Sequence, residues 1–399
     1  MKYLKSSKIY FEDGVRSGYL VIDGKKIVGY LDDSAKVEDY EDYKDNRIIP
    51  GICDTHNHGT YGYSLDSTFD GDEEKIKENI RNYLHCLTYE GVTSGFPTVV
   101  DTIKQLAEVA KEGNYNGISV LGIHAEGPYL SRVGENGRPE PHPPVDMDFV
   151  KSMWEDSQGL LSLVAMAPEI EDSDKAAKYL LSKGVRLAFA HSDLKMAGAR
   201  KAIDDGYSVA THTSNVMVGI HHRDIGGLGV MLDDDRVQCE IICDGLHNCL
   251  EWIKLMLKMK SHDKFMMISD SVSLAGQAVG RYDTHEGGIP LNITPEGFAK
   301  DDDGRLCGST KSVLYGISNL VEKLHMPLEE VIKLSSLNAC TFYGYGDTKG
   351  SIKIGKDADI VVISDDYKAL ATYVEGTKVF DRKTETPTYN PHPKETRID

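Results

Sequence analysis

Residues 50–59 read PGICDTHNHG, and this stretch decides how the rest of the chain is interpreted. It follows the apolar pair Ile48 and Ile49, which indicates a buried strand that ends at His56 and His58. Because side chains two residues apart on a strand point to the same face, the two imidazoles project together. That arrangement suits two neighbouring ligands of one metal ion, although two histidines at a strand end are also an ordinary polar pattern.

Apolar strands that end in a histidine or a carboxylate recur along the chain. The strand candidates are residues 48–56, 93–99, 118–124, 161–167, 185–190, 208–212, 237–243 and 264–269. The polar residues at or just beyond their ends are His56 with His58, His124 with Glu126, His191, His212 and Asp270. A histidine with a purely structural role is usually isolated, whereas here the polar residue returns at the same place in each unit. This recurrence favours one shared polar site.

Amphipathic stretches follow most of the strand candidates and predict helices over residues 73–90, 102–112, 173–183, 195–205 and 248–260. Eight strand–helix units are typical of a parallel (β/α)8 barrel. In such barrels the chemistry lies at the C-terminal ends of the strands, which is where the histidines and carboxylates fall.

The two ends of the chain have a different, purely β character. Residues 18–30 predict a hairpin that turns at Asp23 and Gly24, and residues 359–364 and 372–380 predict strands near the other end. We expect residues 1–50 and 352–385 to pair into one small β domain beside a barrel of residues 51–351. A loosely held tail is expected at residues 386–399.

Composition narrows the class of protein. The 399 residues are 40% hydrophobic and 27% charged, as in a soluble globular protein, and no apolar run approaches the ~20 residues of a membrane span. The N-terminus lacks the apolar core of a signal peptide. The seven cysteines are scattered without C-x-x-C spacing, which argues against a disulfide framework and favours the reducing cytoplasm.

The net charge of −18 makes a nucleic-acid partner improbable, because such a partner requires a basic face. Solubility is the simplest role of this charge. An anionic substrate would have to be held by local cations, such as a metal centre with arginine and histidine, against the field of the whole chain.

Several short motifs together carry a resemblance to a known family. They are HNHG at 56–59, HAEGP at 124–128, APE at 167–169, AHS at 190–192, THTSNVM at 211–217, HHRD at 221–224, ICDGLH at 242–247, SDS at 269–271, CGS at 307–309 and KGSIKIGKDAD at 349–359. With these motifs the chain resembles the amidohydrolase superfamily and, within it, the deacetylases of N-acetylglucosamine 6-phosphate. The resemblance implies a (β/α)8 barrel with a small β-sandwich domain formed by both chain ends.

The resemblance also implies a set of metal ligands. Glu126, His191 and His212 would be the core ligands, and His56 and His58 would hold a second ion. The strand at 161–167 has no lysine at its end, so a carboxylated lysine is not expected and Glu126 is the natural bridging ligand. Imidazole and carboxylate ligands suit Zn, Fe, Mn or Co, and the sequence does not select among them.

Asp270 would have two roles by the same resemblance. It would contribute to the second metal site, and it would act first as general base toward the hydrolytic water and then as general acid toward the leaving amine. One carboxylate can serve both steps because they are sequential.

A sugar-phosphate site is implied as well. Its expected residues are Arg138, Asn215, Val216, His222, Arg223, His247, Leu306, Cys307 and Gly308. Arginine suits phosphate because its planar guanidinium donates two parallel hydrogen bonds. In proteins of this kind the neighbouring subunit can complete the phosphate site, which implies a homodimer.

Two departures from the family pattern lie near the expected sugar. Thr213 and Ser214 stand where Leu-Tyr is usual, and the loop at 136–142 reads NGRPEPH. They leave open whether the substrate is the glucosamine or the galactosamine epimer. Two competing functions are a different amidohydrolase, such as an N-acyl amino acid deacylase or a cyclic amidase, and a catalytically silent scaffold. The first should lack a phosphate site, and the second should have lost ligands.

Overall fold

Parallel strands form the centre of the molecule. The computed structural model describes residues 1–113, 115–133, 138–139, 144–284, 290–393 and 395–398. The central strands are Ile52–Asp54, Val92–Gly95, Ser119–Val120, Ile123–Glu126, Leu161–Met166, Arg186–Phe189, Tyr207–Ala210, Gln238–Ile242 and Phe265–Ile268. They confirm all eight strand candidates, but two are divided. Residues 48–56 form Ile52–Asp54 and most of Arg47–Pro50, which joins the sheet of the chain ends, and residues 118–124 divide between Ser119–Val120 and Ile123–Glu126.

These strands pair in chain order and curl into one parallel arrangement. Three of them form one sheet and six form a second, and every pair within the two sheets is parallel. The sheets meet where Val99 N donates to His124 O at 2.9 Å. The last strand returns to the first, since Asp270 N donates to His56 O at 2.9 Å. The polar strand ends are therefore gathered at one edge of a curled sheet.

Helices cover the outside of the curled sheet. Their bounds are Glu73–Cys86, Ile103–Glu112, Met147–Asp156, Ser173–Ser182, Met196–Asp204, Gly226–Asp233, Leu250–Met259, Val313–Ser318, Leu328–Ile332 and Asn338–Phe342. Shorter helical turns lie at Phe69–Gly71, Leu87–Glu90, His262–Lys264, Asn319–Lys323 and Lys333–Leu337. The five predicted helices are confirmed.

Local chemistry explains where the helices begin. Asp72 accepts a hydrogen bond from Lys75 N, and Asp146 accepts from Asp148 N and Phe149 N, so each aspartate caps free N–H groups at a helix start. In the part of the chain that is described, no helix combines the length and apolar character needed to cross a membrane.

Strands from both chain ends form one eight-stranded sheet. Along its path the strands are Thr377–Asp381, Ala369–Val374, Ile360–Ile363, Arg47–Pro50, Lys2–Phe11, Gly14–Asp23 and Lys26–Leu31, with Glu41–Asp42 paired to Lys2–Phe11. The pairing of Ile360–Ile363 with Arg47–Pro50 is antiparallel and joins the two ends directly. The predicted pairing of the chain ends is confirmed, as is the hairpin before residue 31.

Alternating side chains attach this sheet to the rest of the molecule. Ile48 and Val362 pack into a core of the chain ends, whereas Ile49 and Val361 pack into the large core shared with the helices. Successive strand residues point to opposite faces, so each of these strands contributes to two cores.

Residues 372–380, predicted as one strand, form parts of two strands joined by a tight turn. Ala369–Val374 pairs with Thr377–Asp381 in antiparallel register. The turn residues Glu375 and Gly376 have φ angles of +46° and +74°, as in the turns that match the twist of a hairpin. The prediction missed the turn because Glu at its first position is a weak turn signal.

The C-terminal segment is not the loose tail that the sequence predicted. Glu395–Arg397 pairs with Gly280–Thr284 at the edge of a five-stranded antiparallel sheet, whose other strands are Leu291–Ile293, Phe298–Lys300 and Leu306–Ser309. Tyr389 Oη donates to Ser273 O at 2.9 Å, and Asn390 N donates to Tyr61 O at 2.8 Å. Two further short antiparallel pairs are Gly59–Thr60 with Tyr63–Ser64 and Arg132–Val133 with Arg138–Pro139.

The C-terminal segment should stabilise this five-stranded sheet. A chain ending at residue 387 loses both the strand and the Tyr389 and Asn390 contacts, whereas a chain ending at residue 393 loses only the strand. Because each hydrogen bond contributes about 0.5–1.5 kcal/mol, amide exchange in 280–284 should accelerate on the order of tenfold in both. Exchange in 59–64 should accelerate only in the shorter chain.

Hydrogen exchange read by mass spectrometry checks this expectation, with residues 360–363 as the internal control. Unchanged exchange in 280–284 in both truncated chains would show that the tail contributes nothing to the sheet.

Candidate active site

Six predicted side chains meet at the C-terminal edge of the parallel strands. They are His56, His58, Glu126, His191, His212 and Asp270, and all of them except His56 line a cavity of about 420 Å³. All are substantially buried, from His56, which is fully buried, to His58, whose side chain is 25% exposed. The strands bring together residues that are up to 214 positions apart in the chain.

The carboxylate of Glu126 lies between two pairs of histidines. Its Oε2 is 3.4 Å from His56 Nε2 and 3.1 Å from His58 Nε2. Its Oε1 is 3.3 Å from His191 Nε2 and 3.1 Å from His212 Nε2. Each oxygen therefore faces its own pair of imidazoles.

The nitrogens within each pair are also close together. His56 Nε2 and His58 Nε2 are 3.3 Å apart, and His191 Nε2 and His212 Nε2 are 3.0 Å apart. Tetrahedral ligands with bonds of about 2.0–2.1 Å lie about 3.4 Å from one another. Both groups of donors thus fit a divalent ion, and imidazole with carboxylate is a donor set suited to such ions.

Asp270 borders the group formed by His56 and His58. Its Oδ1 lies 3.5 Å from Nε2 of each histidine. Gly308 packs against the Asp270 backbone so closely that a Cβ there would lie 3.0 Å from Asp270 O and 2.4 Å from Val272 Cγ1. Gly308 also has a φ of +75°, so both the close packing and the backbone conformation require glycine at position 308.

Three of the six residues have left-handed backbone conformations. The φ angles are +47° at His191, +29° at His212 and +50° at Asp270. A positive φ is uncommon outside glycine and costs free energy of order 1–3 kcal/mol, and such residues cluster at functional sites. At these strand ends the conformation turns the chain away while the side chain stays directed into the cavity.

The charged groups at the site change one another's pKa values. Burial opposes ionisation of Glu126, but the nearby His56 and the hydrogen bonds from His191 and His212 hold its pKa well below the usual range. Burial likewise opposes ionisation of Asp270, but the hydrogen bond from His58 and the neighbouring imidazoles lower its pKa to about 2. Both carboxylates are therefore anionic at neutral pH.

Two buried carboxylates that the sequence analysis missed support the strand ends. Asp54 accepts hydrogen bonds from Ser269 Oγ at 2.6 Å and Ser269 N at 3.2 Å, and so ties the first strand to the last. Burial raises the pKa of Asp54 to about 6. Glu240 accepts from His56 Nδ1 at 3.0 Å. The sequence pattern did not single them out. Asp54 ends the strand Ile52–Asp54 but falls within the predicted strand 48–56, before His56, and Glu240 lies inside the strand Gln238–Ile242.

His124 lies behind the metal-ligand candidates. Its ring centroid is 4.5 Å from that of His56, and its Nδ1 lies 3.1 Å from Thr55 O. Burial lowers the pKa of His124 well below its usual value, so the ring is neutral. It is fully buried and does not border the cavity.

Most of the expected sugar-phosphate residues border the cavity. These are Asn215, Val216, His247, Leu306, Cys307 and Gly308. The His247 ring is held by Asp244, whose Oδ2 is 2.7 Å from His247 Nδ1. Val216 has a φ of +53°, which is a strained conformation for a β-branched residue.

Three other expected residues have a different placement. Arg223 and His222 are exposed on the loop before Gly226–Asp233, where Arg223 Nη1 donates to His222 Nε2 at 2.9 Å. Neither Arg223 nor His222 is among the described residues that line the cavity. Arg138 lies in the short strand Arg138–Pro139, but its side chain and residues 136–137 and 140–142 of the same loop lie outside the described part of the chain.

The cavity wall also contains residues that carried no signal in the sequence. They are Ser64, Asp66, Val272, Ser273 and Leu291. Their positions in the hairpin after His58 and in the segment after Asp270 are the only features that could have indicated them.

Comparisons with known proteins agree with this arrangement. Residues 47–384 match the model of the Amidohydrolase family. The chain is 29% identical over 384 residues to N-acetylglucosamine-6-phosphate deacetylase of Bacillus subtilis (strain 168), an alignment that covers 92% of this chain and 94% of the relative. It is 28% identical over 341 residues to N-acetylgalactosamine-6-phosphate deacetylase of Escherichia coli O157:H7, covering 82% of this chain and 86% of that protein.

A solved structure is similar over almost the whole chain. The crystal structure of N-acetylglucosamine-6-phosphate deacetylase from Pasteurella multocida superposes with a TM-score of 0.82 at 26% identity, covering 94% of this chain and 99% of the other.

Proposed function

The chain belongs to the amidohydrolase family, and we propose that it hydrolyses the acetamide of N-acetyl-D-glucosamine 6-phosphate to D-glucosamine 6-phosphate and acetate, in amino-sugar catabolism. The observation that carries this proposal is Glu126 between two histidine pairs, with Asp270 beside one of them. The similarity to deacetylases along the whole chain supports the substrate class.

The two donor groups would each hold a divalent ion of Zn, Fe, Mn or Co. Glu126, His191 and His212 form one group, and His56 and His58 with Asp270 form the other, with Glu126 shared. The donors fit because they are buried, close together and of the right chemical types. Such ions, when bound, polarise a carbonyl and lower the pKa of water toward about 7.

Asp270 would move the protons of the reaction. It is ionised at neutral pH, so its carboxylate can accept a proton as water attacks the acetyl carbonyl carbon. When the carbon–nitrogen bond then breaks, Asp270 returns the proton to the leaving amine. Acetate and the free amino sugar result, and the carboxylate is regenerated.

The rest of the cavity would orient the sugar. His247, Asn215 and the backbone at Val216 are polar groups on one side of it, and Leu306, Cys307 and Gly308 form a short strand on another. The hydrogen bond to Asp244 holds the His247 ring in place. We place the sugar hydroxyls and part of the phosphate against these groups.

Arg223 and His222 would act on a second copy of the chain. Both are exposed on a loop outside the cavity of their own chain, next to Ile220, which is 45% exposed. A homodimer in which this loop reaches the partner's cavity would supply the cation that an anionic substrate needs. The net charge of −18 makes such a local cation necessary. Arg138 would be a further contact from the loop at 131–144.

The finer architecture belongs to the same proposal. The hydrogen bond between Asp270 N and His56 O supports closure of the parallel strands into a (β/α)8 barrel over residues 51–351. The separate core of the end strands, with a 2.6 Å hydrogen bond between Tyr43 Oη and Tyr373 Oη, supports a small β-sandwich domain of residues 1–50 and 352–385. Because the tail pairs with Gly280–Thr284, we assign residues 386–399 to the barrel.

The unpaired state of all seven cysteines supports a reducing compartment such as the cytoplasm.

Acetate release from a panel of N-acetylhexosamines tests the function. The panel contains the glucosamine and galactosamine epimers, each with and without the 6-phosphate, and an N-acetyl amino acid. We expect N-acetylglucosamine 6-phosphate to be the best substrate. Preference for the galactosamine epimer would identify N-acetylgalactosamine 6-phosphate as the substrate. Activity confined to unphosphorylated compounds would overturn the sugar-phosphate proposal.

The number of ions is the first prediction from this proposal. Protein purified without chelator should contain close to two divalent ions per chain by elemental analysis. The double change His56→Asn with His58→Asn should reduce this to one, because the group of Glu126, His191 and His212 remains. One ion per chain in both proteins would show that the histidine pair is structural.

The second prediction concerns Asp270. Asp270→Asn keeps the size of the side chain but cannot accept a proton, so kcat should fall ~100- to 10,000-fold. Elemental analysis of the same sample controls for metal loss. Activity within a few-fold of the unmodified protein, with metal retained, would mean that another group is the base.

The third prediction concerns Arg223. Arg223→Ala should lower kcat/KM for the 6-phosphate substrate roughly 10- to 150-fold, since a hydrogen bond to a charged group contributes about 1.5–3 kcal/mol. The unphosphorylated sugar should be hardly affected. Arg200→Ala, which removes an exposed arginine paired with Asp233, is the matched control.

Mixed dimers decide which chain Arg223 serves. In a dimer of one Asp270→Asn chain and one Arg223→Ala chain, the second chain keeps Asp270 and would receive Arg223 from the first. The isolated mixed dimer, with one complete site of two, should therefore have about half of the original activity. No recovery in verified mixed dimers would place Arg223 at the site of its own chain.

A further inference from the structure

We propose that Glu240 is a positioning residue that holds the His56 imidazole in the tautomer and orientation needed to bind the second metal ion. The inference rests on the two-ion site of the proposed function. It concerns a carboxylate that does not border the cavity and has no part in the proton transfers.

Glu240 is enclosed on the side of His56 away from the cavity. The residue is fully buried in the strand Gln238–Ile242, all of whose residues are buried. Its Oε2 lies 3.0 Å from His56 Nδ1, and its Oε1 lies 3.3 Å from Thr55 Oγ1. Among the described residues, His56 is the only potentially cationic side chain within ion-pair distance of Glu240.

The contact determines which ring nitrogen of His56 carries hydrogen. An ionised carboxylate only accepts hydrogen bonds, so Nδ1 must be the donor. The opposite nitrogen, Nε2, is then free to offer its lone pair. It is this Nε2 that lies 3.4 Å from Glu126 Oε2 and 3.3 Å from His58 Nε2. Glu240 thus directs the lone pair of His56 toward the second ion.

Among the described residues, no carboxylate bonds Nδ1 of His191 or His212, the two histidines of the other donor group. His191 Nδ1 bonds a backbone carbonyl, Arg132 O, at 2.8 Å. His212 Nδ1 is buried and, within the described residues, has no hydrogen-bond partner. A carboxylate behind a histidine ligand fixes its orientation and raises its basicity more than a neutral acceptor does. The effect of Glu240 should therefore be confined to the ion held by His56.

The burial of Glu240 also points to a role beyond packing. A carboxylate without exposure to water is costly unless it is paired, and an apolar side chain would fill the same space without that cost. The pairing with His56 offsets this cost. The charge of a bound divalent ion on the other side of the imidazole would offset it further.

Metal affinity of the Glu240→Gln variant tests the proposal. Gln keeps the volume but removes the charge, and its amide can present N–H groups to Nδ1, so the required tautomer is no longer enforced. We expect the second ion to bind 10- to 100-fold more weakly in a chelator-competition titration with Zn²⁺. The first ion, at Glu126, His191 and His212, should keep its affinity.

The Thr55→Val variant is the matched control. It removes the other side-chain partner of the Glu240 carboxylate but leaves the contact with His56 in place. We expect both ions to bind this variant with little change. Equal weakening in Thr55→Val and Glu240→Gln would assign the effect to general packing and overturn the proposal.

A double-mutant cycle shows whether Glu240 acts through His56. In a His56→Asn background, the additional change Glu240→Gln should cause no further loss of zinc affinity, because the group it positions is absent. The absorption spectrum of the Co²⁺-substituted protein gives a second readout. Glu240→Gln should change only the absorption bands of the Co²⁺ ion that is held by His56 and His58.

Other results that would overturn the proposal are unchanged affinity of both ions in Glu240→Gln, equal loss of both, and an undiminished effect in the His56→Asn background. A third ion in the unmodified protein, lost from Glu240→Gln while two remain, would also overturn it, because His56, His124 and Glu240 would then be a metal site themselves. These measurements need no substrate. Failure of the sugar-phosphate proposal would appear in the acetate assay instead, with the metal result intact.

Discussion

The carboxylate of Glu126 is the group on which the rest of the site depends. Each of its oxygens faces a different pair of histidines at 3.1–3.4 Å, in a place largely closed to water. Such a concentration of donors in a low-dielectric environment favours bound cations, which replace the solvation that the buried groups have lost. A carboxylate that belongs to both groups couples them, so the geometry of one group constrains the other.

The fold provides this convergence through its parallel strands. Side chains from distant parts of the sequence reach one edge because every central strand runs in the same direction. Bonds between the first and last strands, through Asp54 with Ser269 and through the backbone of Asp270 with His56, hold the two ends of the curled sheet in register. The left-handed conformations at the strand ends add local strain, which the surrounding hydrogen bonds and packing must overcome.

The sequence predicted the parts of the site that follow a repeated pattern. His191, His212 and Asp270 were found because each follows an apolar strand. Glu240 was missed because a carboxylate inside a strand produces no periodic signal, and its partner His56 is 184 residues away. The tail was misjudged for a related reason: its pairing with Gly280–Thr284 depends on a distant edge strand rather than on its own composition.

In the proposed function, Glu126 is a ligand shared by two ions. Anomalous scattering from crystals of the metal-loaded protein, measured on both sides of the absorption edge of the bound metal, tests it most directly. Two peaks are expected on opposite sides of the Glu126 carboxylate, each about 2.0–2.2 Å from its histidine nitrogens and a Glu126 oxygen. A single peak, or peaks that do not share Glu126, would contradict it.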